Sequence, residues 1–172
     1  SSIIHKNLTS SSTNDDFEVL KTNSNLTHLQ LVKNSLKIRI LSSPPGSGKS
    51  AMLKEIANKI KALNPNFWVI FINLSEFDEF FSSQSDGIVD FLCQFAENEA
   101  NEDFLRNFLQ NSPSRVAILL DEFDKVSNPV NALKIIQKLR EFSHHIWIAT
   151  RPHREDLVKN YFKSKEVFEI GP

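Results

Sequence analysis

Ser43-Pro44-Pro45-Gly46-Ser47-Gly48-Lys49-Ser50 is the stretch that decides the fold. Set against the phosphate-binding pattern G-x-x-x-x-G-K-[ST], it departs only at the first position, where Ser43 stands for glycine. Gly46 and Gly48 let the backbone turn so that successive N–H groups face a single anion. A helix beginning near Lys49 aims its positive end at the same point. In this pattern Lys49 bridges the β- and γ-phosphates and the Ser50 hydroxyl ligates Mg2+. Pro45 through Ala51 is therefore the candidate cradle for ATP or GTP with Mg2+. A non-glycine residue at position 43 has to stay out of positive φ, and Pro44 and Pro45 help to arrange this.

The flanks separate this stretch from a chance Gly-Ser turn. Leu36 to Leu41 alternates and then becomes apolar, as a strand entering a core does. Met52, Ile56, Ile60 and Leu63 recur at helical spacing until Asn64-Pro65 ends the helix. Farther out, residues 67–72, 116–120 and 146–149 are unbroken apolar runs of strand length, the signature of parallel strands covered on both faces. Helical patterns fall at 88–97, 103–110, 132–139 and 154–162, with a last short strand at 167–170, while 76–87 reads as acidic and turn-like. The alternation predicts an α/β fold: a three-layer P-loop NTPase core whose five-stranded parallel sheet carries helices on both faces. Residues 1–16, rich in Ser, Thr and Asn, read as a disordered tail or linker, and residues 17–172 as the core. Within the latter, residues 17–34 are ambiguous between a short strand and a helix. The ends, Ser1-Ser2 and Gly171-Pro172, suggest a piece of a longer protein.

A phosphate loop needs an acidic partner for its metal. Ile118-Leu119-Leu120-Asp121-Glu122 delivers Asp121 at the C-terminal end of a buried strand, where ligands sit in open α/β sheets. Asp121 is the candidate magnesium holder. Glu122 is placed to orient or deprotonate an attacking water, and Asp124 is a second acid on the same turn. The strand at 146–149 ends in Thr150-Arg151-Pro152, where the fixed donor fork of Arg151 suits a γ-phosphate. The apolar strand between the two motifs indicates that the motif strands are not neighbours in the sheet. That separation and the Glu after the metal Asp favour an ATPase over a small-molecule kinase.

These residues resemble the NACHT-like branch of the STAND ATPases, signal-transduction NTPases related to AAA+ proteins. The resemblance runs from about Leu36 to Ile170 and rests on Pro45-Gly46-Ser47-Gly48-Lys49-Ser50, residues 68–74, Leu119-Leu120-Asp121-Glu122-Phe123-Asp124 and residues 147–153. It implies a nucleotide-driven switch, closed with ADP and able to oligomerise on exchange, with Arg151 as sensor. It also implies further domains of the same longer chain, a helical lid and a winged helix. One departure stands out: such domains usually carry a small residue after the metal Asp, with acids three and four positions on. Here Glu122 follows at once, Asp124 is acidic and Lys125 replaces the second acid, an arrangement closer to AAA+ ATPases. The base therefore stays open between Glu122 and Asp124. Alternative functions are a remodelling ATPase of AAA+ type and a degenerate, non-catalytic scaffold.

The bulk composition narrows the partners. A net charge of -1 supplies no general pull toward nucleic acid or anionic lipid. No apolar run approaches the roughly 18 residues that a membrane span needs. With one cysteine, Cys93, inside an apolar run, no internal disulfide can form, and the expected compartment is the cytoplasm. His144, His145 and His153 lack ligand-spaced partners for a zinc or iron site.

Overall fold

The computed structural model describes residues 38–83, 86–162 and 167–169. The readings of residues 1–16 and 17–34, and of the strand ends at Leu36 and Ile170, lie outside them. The strands are β1 (Ile38–Ser42), β2 (Trp68–Asn73), β3 (Val116–Asp121), β4 (His145–Thr150) and β5 (Val167–Glu169). They form one sheet in the order β2-β3-β4-β1-β5, every pairing parallel. The phosphate-loop strand β1 and the acidic strand β3 are indeed not neighbours; β4 lies between them.

The helices are α1 (Lys49–Leu63), α2 (Asp78–Ser82), α3 (Ile88–Cys93), α4 (Glu99–Asn111), α5 (Pro129–Leu139) and α6 (Pro152–Phe162). The period-2 alternation of the strands sorts the core into two layers. Ala117 and Leu119 of β3, with Trp147 and Ala149 of β4, pack against Leu53, Ile56 and Ile60 of α1. Ile118 and Leu120, with Ile146 and Ile148, face the opposite side, where Leu105, Leu133, Ile136 and Val158 belong to the larger cluster. Every residue of β3 and β4 is buried, as strands covered on both faces require.

The segment read as a turn, 76–87, contains α2. Asp78 and Glu79 occupy its first turn, where acidic side chains favour the helix dipole, and Phe81 is fully buried beneath it. The acidity that reads as loop chemistry is N-terminal helix chemistry. At the other end of the chain, α6 starts at Pro152 rather than at Arg154, because proline suits a first helical position. Strand register then brings the chemistry to one rim: Ser42 pairs with Thr150, and Asn73 with Asp121, at the C-terminal ends of their strands.

Candidate functional site

Past β1 the chain is anchored before it turns. Ser43 is 1% exposed, and its N–H donates to the Thr150 carbonyl at 3.3 Å. Gly46 and Gly48 take φ of 76° and 79°, the left-handed region that glycine enters without strain. A Cβ at Gly46 would meet nothing within 4 Å, so conformation and not space demands glycine there. Ser43 does avoid positive φ, since among the described residues Glu122 is the one non-glycine that adopts it. The Ser47 hydroxyl donates to the Pro44 carbonyl at 2.7 Å and shares a hydrogen bond with Ser43 Oγ at 2.5 Å, which ties the loop where the missing glycine would have turned it. Helix α1 starts at Lys49 with neither a side-chain cap nor an acidic residue in its first turn. Its leading amides are thus left for an anion.

Across the rim, β3 ends in Asp121, 3% exposed, whose Oδ1 accepts from the Glu122 N–H at 2.8 Å. Glu122 then takes φ 60° and ψ 36°, a left-handed conformation that costs a residue with a Cβ on the order of 1 kcal/mol. The reversal leads into a 3-10 turn, Phe123–Lys125. The Glu122 carboxylate is held twice: Oε1 accepts from Lys125 Nζ at 2.6 Å, and Oε2 from the Ser75 hydroxyl. These bonds, Lys125 first, hold its carboxyl below the usual glutamate range. Ser75 is itself oriented by Asn73, whose Oδ1 accepts from the Ser75 N–H at 3.1 Å.

Asp124 occupies the middle of the site with a side chain only 3% exposed. Arg151 Nε lies 3.3 Å from its Oδ2, and Lys49 Nζ 4.0 Å from its Oδ1. That Oδ1 is buried and accepts no hydrogen bond among the described residues. Loop and acids together enclose a cleft of about 230 Å³ lined by residues 44–51 with Glu122, Asp124, Lys125 and Arg151.

The structure therefore brings Pro45 through Ala51, Glu122, Asp124 and Arg151 to one cleft. It leaves two of the expected residues off the lining. Asp121 is buried at its strand end, and Thr150 is fully buried with its hydroxyl donating to the Arg151 carbonyl at 3.2 Å. Sequence reasoning did not single out Lys125 or Ser75 as partners of Glu122. Lys125 carried a signal, a cation where a second acid is usual. Ser75 carried none, since it meets Glu122 across 47 residues of chain.

The donor set fits a magnesium-bound nucleotide. It offers left-handed glycines and uncapped helix amides for phosphate oxygens, a lysine in the cleft, and a buried carboxylate oxygen without a hydrogen bond. Magnesium bound mainly through substrate phosphates needs few protein ligands. Among the described residues, no three His, Cys, Asp or Glu side chains cluster for a metal. Among the described residues, too, no helix is long and apolar enough to cross a membrane.

Comparison with curated proteins returns no match. Among solved structures, that of C. elegans PCH-2 superimposes with a TM-score of 0.51 at 16% identity, covering 83% of this chain and 37% of that one. At that identity the likeness speaks for the fold alone. The NACHT domain family model matches residues 38–172, which takes in every strand and the whole rim. With the phosphate loop, the acidic turn and Arg151 meeting in one cleft, the chain belongs to the NACHT domain family of P-loop NTPases.

Proposed function

We propose that this NACHT core binds ATP, in preference to GTP, together with Mg2+, hydrolyses the β–γ bond slowly, and serves as a nucleotide-dependent switch for signalling or assembly within a longer cytoplasmic chain. The observation that carries this reading is the shared cleft: the loop 44–51, Glu122, Asp124 and Arg151 face one volume. The amides of Gly46 through Ser50 and the ammonium of Lys49 hold phosphate oxygens. Ser50 in the cleft, with Asp121 buried at the strand end, would hold Mg2+, which would supply charge neutralisation to the phosphates. Arg151 reads the γ-phosphate, and Glu122 and Asp124 are the carboxylates available to a water. Slow turnover is expected because the Glu122 carboxylate is occupied by the Lys125 ammonium. Nucleotide-dependent self-association and contacts with further domains of the chain would be the output.

Lys49→Ala tests the reading. The variant should keep the fold by circular dichroism and lose the thermal shift that Mg-ATP gives the parent chain; equal nucleotide affinity in the two would refute it. Glu122 directly after Asp121 favours a second reading, a remodelling ATPase. Its mark would be turnover that rises with a protein or nucleic-acid substrate.

A further inference from the structure

Asp124 stands between two cations of the cleft. Its two oxygens engage the two cations assigned to phosphate, Arg151 Nε at 3.3 Å and Lys49 Nζ at 4.0 Å. A carboxylate between a lysine and an arginine is a charge mimic of a terminal phosphate held by the same pair. It is also fixed. Asp124 lies within the 3-10 turn Phe123–Lys125, whose Phe123 is fully buried. The Arg154 guanidinium donates to the carbonyls of Phe123 and Val126 on either side of it, at 2.8 Å each. On the other flank, Asp78 accepts from the Ser127 N–H at 2.8 Å. Arg151 is freer: its side chain is 41% exposed and follows the last residue of β4.

We infer that Asp124 is a specificity-determining residue, a built-in counterion that competes with a γ-phosphate for Arg151 and Lys49 and so biases the cleft toward nucleoside diphosphate over triphosphate. This rests on the nucleotide-binding reading above. A diphosphate can seat on the loop amides and leave the Arg151–Asp124 pair intact. A triphosphate brings one more negative phosphate to the cations, must separate that pair, and then sits beside an unneutralised buried carboxylate. Opposed charges at such range in a partly buried site are worth about tenfold or more in affinity.

The test uses the whole chain with ATP and ADP, titrated calorimetrically in EDTA so that metal binding does not enter, and again with Mg2+. Asp124→Asn keeps the side-chain shape and removes the charge. It should tighten ATP by about tenfold more than ADP in EDTA. Arg151→Gln should weaken ATP while leaving ADP close to the parent value, and it should shrink the gain from Asp124→Asn when the two are combined. Weaker ATP binding in Asp124→Asn, or equal shifts for ATP and ADP, overturns the inference. If Asp124→Asn does not fold, Asp124→Ser takes its place: ATP tightened more than ADP supports the competition, and equal shifts overturn it. A parent chain that binds neither nucleotide even with Mg2+ refutes the nucleotide reading as well. A parent that binds both, with variants that leave their ratio alone, refutes only the role of Asp124.

Discussion

Arg154, in the first turn of α6, donates from a single guanidinium nitrogen to the carbonyls of both Phe123 and Val126, at 2.8 Å each. The helix that follows Arg151 thereby grips the turn that carries Glu122 and Asp124. Removing the guanidinium takes this donor from the Val126 carbonyl and leaves the Phe123 carbonyl the Val126 N–H at 3.4 Å as its remaining donor among the described residues. Arg154→Ala should lower unfolding stability by roughly 2–3 kcal/mol, and Arg154→Lys should recover part of this by serving one carbonyl. Urea titration of the three proteins checks it. A change under about 0.5 kcal/mol in the alanine variant, the range of ordinary surface substitutions, would mean that the turn holds itself.

Lys125 bears on turnover. Its ammonium is the first cause of the lowered pKa of Glu122, and a carboxylate so held is a poorer proton acceptor. Lys125→Met should raise ATP hydrolysis roughly 3- to 10-fold, with little change in nucleotide affinity. Combining it with Glu122→Gln should erase the gain. Steady-state phosphate release measures both. If the gain survives in the double variant, Asp124 rather than Glu122 is the acceptor.

Much of this could be read from residues alone, and the reason is local. Short unbroken apolar runs such as Val116–Leu120, of strand length and bounded by turn signals, read as strands buried on both faces, and a Gly-Ser-Gly-Lys-Ser turn between strand and helix has one common use. The separation of β1 from β3 was legible as well, but not that β4 fills the gap, because strand order depends on pairings between distant segments. The same limit hid Ser75 behind Glu122. Helix α2 escaped for a different reason. Its five residues are too few for a period to show, and it is fixed largely by tertiary bonds. Asp78 reaches Ser127, and the Asn131 amide donates to the carbonyls of Phe81 and Ser83.

Asp78 makes that docking pH-dependent. Hydrogen bonds from the Ser127 side chain and amide hold its carboxyl below the usual value of 3.8. A folded value below the unfolded one means stabilisation that is complete above the unfolded value and is lost as pH falls through the folded one. Asp78→Asn should therefore melt lower than the parent at pH 6, and the two melting temperatures should converge as pH falls below 3.8 and through the folded value. A gap that persists in acid would assign the loss to shape rather than charge.

His145 works in a higher pH window. It begins β4, is 5% exposed, and its Nε2–H donates to the Ser114 carbonyl at 2.9 Å, which fixes the neutral tautomer. Burial pushes its pKa from 6.5 down to about 4; the Ser114 bond opposes this, while Arg39 and His144 reinforce it. The folded chain thus refuses a proton that the unfolded chain accepts below 6.5. Stability falls as pH drops from 6.5 toward about 4 and levels off beneath, with a full span of about 3 kcal/mol. His145→Gln cannot take up that proton in either state, and it keeps a donor for Ser114. Its unfolding free energy should hardly change between pH 7 and 4.5 beyond what the carboxylates contribute to both proteins, while the parent loses most of the 3 kcal/mol. Urea unfolding at pH 7, 5.5 and 4.5 gives the two slopes. Parallel slopes would show that His145 is solvated well enough to titrate in the fold.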